Sequence, residues 1–270
     1  VTRGATWALS IGVVAFVLAP DLGLSATRSA DAPRRVTGGR DGSRADTAAK
    51  VPFAIGEKCD YDVRYGDLKV GTGSMEVADT ASIRGLSAWH TVFRVVGGIP
   101  LYHVNDLFES WFDLHTLASL RFVQRLQEGG KDRERHFEIF PDKATYVQEG
   151  KPEKPSVSQP LDDGSFLYFA RTLPLEVGKT YSFDRYFIPD RNPVTLKVLR
   201  RERVTVPAGT YMAIVVQPII KTSGIFSENG EAQVWLADDS TRIMLQLKSK
   251  LTFGSLNLYL TSYHAGAGGP

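Results

Sequence analysis

The sequence predicts an all-β domain: a mainly antiparallel, strongly curved sheet or incomplete β-barrel with one short helix near residues 163–173. Three observations predict it. From about residue 57 onward apolar side chains alternate with polar ones, the period-two pattern of half-buried strands. Gly, Pro and Asp interrupt that pattern at short intervals, as hairpins require. A single segment, "DDGSFLYFARTL", switches to helical spacing.

The elements follow in order. In "EKCDYDVRY", Cys59, Tyr61, Val63 and Tyr65 share one parity, while Lys58, Asp60, Asp62 and Arg64 share the other. Gly66 and Asp67 turn the chain into "LKVGTGSMEV", where Gly71 and Gly73 shift the parity of the apolar residues and predict a bulge or strong coiling. The strand pattern recurs in "SAWHTVFRVV", "VNDLFESWFD", "SLRFVQRLQ", "RERHFEIF" and "KATYVQEG". In the helical segment Phe166, Phe169, Ala170 and Leu173 fall on one face, Asp162 or Asp163 is placed to cap the first turn, and Pro174 follows the end. Beyond it come "TYSFDRYFI", "VTLKVLRRERVTV", "TYMAIVVQP", "EAQVWLA", "TRIMLQLKS" and "GSLNLYLTSY", making about a dozen strands in all.

The amino-terminal segment reads differently. Residues 1–26 carry Arg3, a short apolar run from Trp7 to Ala19 and small residues at Ser25 and Ala26, the layout of a signal peptide. The run falls short of the ~20 residues of a spanning helix, so no transmembrane span is expected after signal removal; a retained anchor is the competing reading. Residues 27–52 hold almost no large apolar side chain and predict a disordered basic linker. The β-rich domain is expected over 53–263, with a flexible tail at 264–270. These features predict a periplasmic or secreted bacterial protein.

Composition narrows the classes further. The chain carries a net charge of +2, and six basic against three acidic residues sit in Ser25–Pro52, so the domain itself is near neutral and nucleic acid is not expected as a partner. Cys59 is the single cysteine, which excludes an internal disulfide.

The order "IGEKCDYDVRYGDLKVGTGSMEV", "VNDLFESWFD", "DDGSFLYFAR", "VPAGTYMAIVVQP" and "VWLADDSTRIMLQLKSKLTFGSLNLYL" resembles the bacterial exported family described as domain of unknown function 3108. The resemblance spans roughly Phe53 to Tyr263 and implies an exported, β-rich envelope protein with no established reaction. It supplies no catalytic residues. The basic linker is longer than the family pattern implies.

The residues point the same way. Asp238 and Asp239 are neighbours between two apolar runs, beside Ser240, and read as a turn rather than a carboxylate pair. The segment "HVNDLFESWFDLH" gathers His103, Asp106, Glu109, Asp113 and His115, but on a strand Asp106 faces opposite to the other four, which spread too far to bind one ion. No metal or cofactor is expected. Arg121, Arg125, Arg133 and Arg135 alternate with acids and predict cross-strand ion pairs. An inner surface lined by Trp89, Phe93, Phe108, Phe112, Phe122, Phe137, Phe183 and Phe187 would suit a lipid or other amphipathic ligand. The reading is therefore a non-enzymatic protein that binds such a ligand or an envelope partner. Its alternatives are an envelope hydrolase acting on glycan or lipid ester through the 103–115 segment, and a structural interaction protein without a ligand.

Overall fold

The computed structural model describes residues 50–221, 232–250 and 255–267. The expected signal peptide and nearly all of the expected linker lie outside the described residues. Among those described, 14 strands form one antiparallel sheet. Strands β1 (Lys58–Tyr65), β2 (Leu68–Ile83), β3 (Leu86–Ile99), β4 (Tyr102–Asp113), β5 (Ser119–Glu128), β6 (Lys131–Phe140), β7 (Thr145–Gln148) and β8 (Lys154–Pro155) make a first meander. Helix α1 (Asp163–Arg171) follows. A second meander comprises β9 (Thr180–Phe183), β10 (Val194–Val206), β11 (Gly209–Ile219), β12 (Gln233–Ala237), β13 (Met244–Lys250) and β14 (Ser255–His264). The two meanders join through β1 and β14, which pair from Lys58↔His264 to Tyr65↔Leu256.

The expected coiling is present, and its cause is local. Val63 pairs with Gly71 and Arg64 with Lys69, so Val70 is an extra residue in β2. Next to this bulge Gly71 lies opposite Gly97 with the two backbones in close approach, where a Cβ at either glycine would run into the other strand. A second bulge sits in β14, where Asp60 pairs with Ser262 and Tyr61 with Leu260, leaving Thr261 extra. Such insertions bend a strand and increase its twist.

The curled sheet does not close as a ladder. Its edges are β8, blunted by Lys154 and Pro155, and β9. Between them two irregular segments touch: Leu161 N donates to Arg185 O, Phe187 N donates to Leu161 O, and Ser156 Oγ donates to Phe187 O. This explains why the apolar run "TYSFDRYFI" is strand only as far as Phe183. Beyond it the backbone leaves the ladder to pair with the chain preceding the helix.

The core lies on the concave side. Alternation delivers Cys59, Tyr61 and Val63 from β1, Phe108 and Phe112 from β4, and Leu256, Leu258 and Leu260 from β14. A small outer cluster of Ile83, Ala88 and Leu120 packs under Trp111 on the opposite face.

Candidate functional site

Helix α1 lies within the curl rather than on its rim. Of its residues only Gly164 and Leu167 are more than slightly exposed. The Tyr168 ring lies 5.0 Å from that of Phe53 and 5.9 Å from that of Phe112, and Phe169 meets Phe183 edge-on at 5.1 Å. Gly164 is required by proximity, because a Cβ there would stand 2.9 Å from the Ser110 Cβ on β4.

Both ends of the helix are fixed by buried polar groups. At the N-terminus Asp162 is the cap: its Oδ1 accepts from Gly164 N at 2.8 Å and Ser165 N at 2.9 Å. Ser165 Oγ in turn accepts from Asp162 N, completing a capping box. The sheet extends this cap, since Ser110 Oγ reaches the Asp162 carboxylate at 2.7 Å and Ser119 Oγ lies 2.8 Å from Ser165 Oγ. Burial raises the Asp162 carboxyl, and these donors oppose the rise. Asp163 accepts from Tyr186 Oη at 2.8 Å, and its burial pushes the carboxyl up to about 7.

At the C-terminus Arg171 forms a two-pronged pair with Glu57, at 2.6 and 2.8 Å. The guanidinium also donates to Pro52 O and Thr241 O, and it lies 5.4 Å from the centres of the Phe53 and Tyr168 rings. One side chain thereby ties the helix to the chain before β1 and to the loop after β12. Both partners are buried, so neither charge has water to fall back on.

All eight aromatic residues singled out from the sequence sit with the interior cluster. Phe93, Phe108, Phe112, Phe122, Phe137 and Phe187 are buried, while Trp89 and Phe183 are partly buried against the same core. Phe122, Phe137 and Phe187 pack mutually, with Phe137 and Phe187 5.3 Å apart. The concavity is largely filled, and the open cleft that alternation alone allows is occupied by α1. Small apolar gaps remain among the described residues, two of them of about 20 Å³ each, room for roughly one water molecule. One lies between α1 and the second meander, beside Leu196, Val216, Val234 and Met244. The other lies against Phe93 and Phe108. Both are lined by Met75, Leu167 and Tyr168.

A polar feature that alternation exposes but does not explain occupies the same inner face. Asp106, expected to face away from its acidic neighbours, is fully buried. Its Oδ1 accepts from Gln127 N at 3.1 Å, while Asp106 Oδ2, Gln124 Oε1 and Glu128 Oε1 are buried without a donor. Burial, then the nearby Glu128, pushes the Asp106 carboxyl up to about 7. A proton held there turns one of the unpartnered oxygens into a donor.

The remaining groups of the 103–115 segment do not converge. Glu109 pairs with Arg125 on the outer face and stands 3.4 Å from His90, whose ring stacks on Trp111. Asp113 Oδ1 accepts from His115 N and Thr116 N in a turn. His136 lies 2.7 Å from Glu134. Among the described residues no group of three or more His, Cys, Asp or Glu side chains could hold a metal ion. The arginines pair across strands as expected, Arg121 with Glu138 and Arg125 with Glu134. Asp239 Oδ1 accepts from Thr241 N and Thr241 Oγ1, and Asp238 meets Arg201, so the adjacent aspartates build a turn.

The fold resembles that of a solved bacterial protein at low identity. A β-barrel-like protein of domain of unknown function DUF1849 from Brucella abortus superposes with a TM-score of 0.51 at 11% identity, covering 80% of this chain and 99% of that one. A DUF1089 family protein from Pseudomonas aeruginosa gives 0.36 at 10% identity over 75% of this chain and 95% of that one. A hypothetical protein from Chlamydia trachomatis gives 0.37 at 9% identity, over 80% and 91%. No curated protein matches the sequence. The model of the family of proteins of unknown function DUF3108 matches residues 60–261, most of the chain, and the chain belongs to that family.

Proposed function

We propose that this domain is a non-enzymatic protein of the bacterial envelope that holds one thin apolar or amphipathic chain, of lipid type, beside helix α1. The observation that carries the reading is the pair of apolar gaps meeting at Leu167, a partly buried apolar residue on a helix of which only Gly164 is comparably exposed. Only Met75, Leu167 and Tyr168 are common to both, and the first two are side chains that change rotamer at low cost. Moving them joins the gaps into a crevice bounded by Phe93, Phe108 and the apolar face of the second meander. Each gap falls far below the ~300 Å³ of a preformed ligand pocket, so binding must widen the crevice. The polar anchors at both ends of α1 favour insertion alongside the helix over its expulsion. The buried aromatic residues singled out from the sequence act in this reading mainly as the wall.

Native mass spectrometry of protein purified without detergent tests it, together with titration by palmitate and lysophosphatidylcholine. A retained or added lipid mass, lost in Leu167→Trp, is the expected result. No lipid mass from either source overturns the reading.

A second reading is favoured by the sheet end at which hairpins β1–β2 and β3–β4 turn. Leu101 is 99% exposed there and Leu68 65%. An envelope protein partner seated on this tip is expected to be captured by a photo-crosslinker at position 101, and Leu101→Asp should abolish that capture.

A further inference from the structure

The convex face carries a separate feature. Across β14, β1, β2 and β3 lies an open trough of about 440 Å³, lined by Asp60, Asp62, Lys69, Thr72, Ser74, Arg94 and Thr261 among others. Its size is that of a small-molecule site. The two bulges described above bracket it: Thr261 is the extra residue of one, and Val70, beside Lys69, of the other. Bulges re-aim side chains and gather near functional sites.

The register builds the trough in rows. Ser262, Asp60, Ser74 and Arg94 stand opposite one another across four strands, and Asp62 and Thr72 stand opposite each other in the adjacent row. Neighbouring groups hold the charged members in place. Asp60 accepts from Ser262 Oγ at 2.8 Å, with Lys58 3.9 Å away. Asp62 meets Lys69 at 2.5 Å and Arg64 at 3.5 Å, and Arg94 donates to Asn105 Oδ1 at 3.1 Å.

Two carboxylates and two cations therefore balance within the lining, each already matched by a charged or polar neighbour. The charged groups of the lining sum to zero, two of each sign, so the trough as a whole does not select for an anion or a cation. Hydroxyl groups do better: fixed carboxylate oxygens accept from them, Arg94 and Lys69 donate to them, and Thr72, Ser74 and Thr261 do either. We infer that this trough binds a neutral polyhydroxylated ligand, a short glycan segment, on the face opposite the lipid-type crevice. The inference is independent of that crevice, and either can fail alone. Tyr61 borders the trough but buries its ring in the core, where its hydroxyl donates to Met244 O, so recognition rests on hydrogen bonds and affinity is about millimolar.

The test is an amide-resolved NMR titration of the full chain with chitotriose and with maltotriose. Expected are saturable shifts at residues 60–62, 72–74, 94 and 261, with Thr72→Val and Ser74→Ala each weakening binding about fivefold. Unchanged thermal melting of the two variants separates lost contacts from lost fold. Absence of localised shifts with both sugars overturns the inference. So does a stronger response to inorganic sulfate or glycylglycine, because the trough would then read charge.

Discussion

Replacing Asp106 by asparagine should stabilise the protein above neutrality, although it removes a fully buried charged residue. In the native state this carboxyl is held at about 7 instead of 3.8, by burial first and Glu128 second. The sign follows from proton binding. Between about pH 4 and 7 the unfolded chain is ionised at this position while the folded chain keeps its proton. The contribution is therefore full at low pH, falls as pH rises and is gone above about pH 7. At 1.36 kcal/mol per tenfold, the loss between pH 5 and pH 8 is about 3 kcal/mol. The asparagine side chain cannot ionise, its carbonyl oxygen can still accept from Gln127 N, and its amide supplies a donor on the face where Gln124 Oε1 and Glu128 Oε1 have none. Urea denaturation of both proteins at pH 5 and pH 8 measures the effect. Because Asp162, Asp163 and Glu128 are also raised, the informative quantity is the variant minus the wild type. That difference should move in favour of the Asp106→Asn variant by about 3 kcal/mol between pH 5 and pH 8. A difference independent of pH, or a variant weaker than wild type at pH 8, would refute the assignment of a neutral buried carboxyl.

Other expectations follow from the anchoring of α1. Glu57→Gln leaves the buried Arg171 guanidinium without its counter-charge and should cost about 3–5 kcal/mol in chemical denaturation; Glu57→Gln with Arg171→Met should recover part of it. Gly164→Ala gains about 1 kcal/mol of helix propensity yet should lower Tm in a thermal melt, since the new Cβ meets the Ser110 Cβ at 2.9 Å. Cys59 is buried and pushed up to about 12, so at pH 8 a thiol reagent should label it only after denaturant is added.

Alternation made most of the sheet legible, because a strand with one dry face must repeat every two residues whatever its neighbours are. It also placed Asp106 on the opposite face from Glu109 and Asp113, as found. The turn at Asp238 and Asp239 and the cap at Asp162 were legible for a related reason: short polar side chains bond their own backbone. What the helix does was not legible. Asp162, Asp163, Ser165 and Arg171 are residue types that ordinarily face water, yet all four are buried, matched by Ser110, Ser119, Tyr186 and Glu57 from distant parts of the chain. Polar groups satisfied at long range leave no local pattern. The same limit hid the filling of the concavity, since period alone says which side chains face inward but not what meets them there.

The pairing of β1 with β14 sets the order in which the molecule can be finished. The first and last strands described lie side by side in mid-sheet, with partners such as Lys58 and His264 some two hundred positions apart in the chain. A growing or threading polypeptide can zip each meander from nearby hairpins, but the seam between them waits for the final strand and closes a very long loop. Until then two half-built sheets expose bare edges at β1 and β13, where a foreign strand could add, and any helper that guards this protein during its assembly would have its work at those two edges.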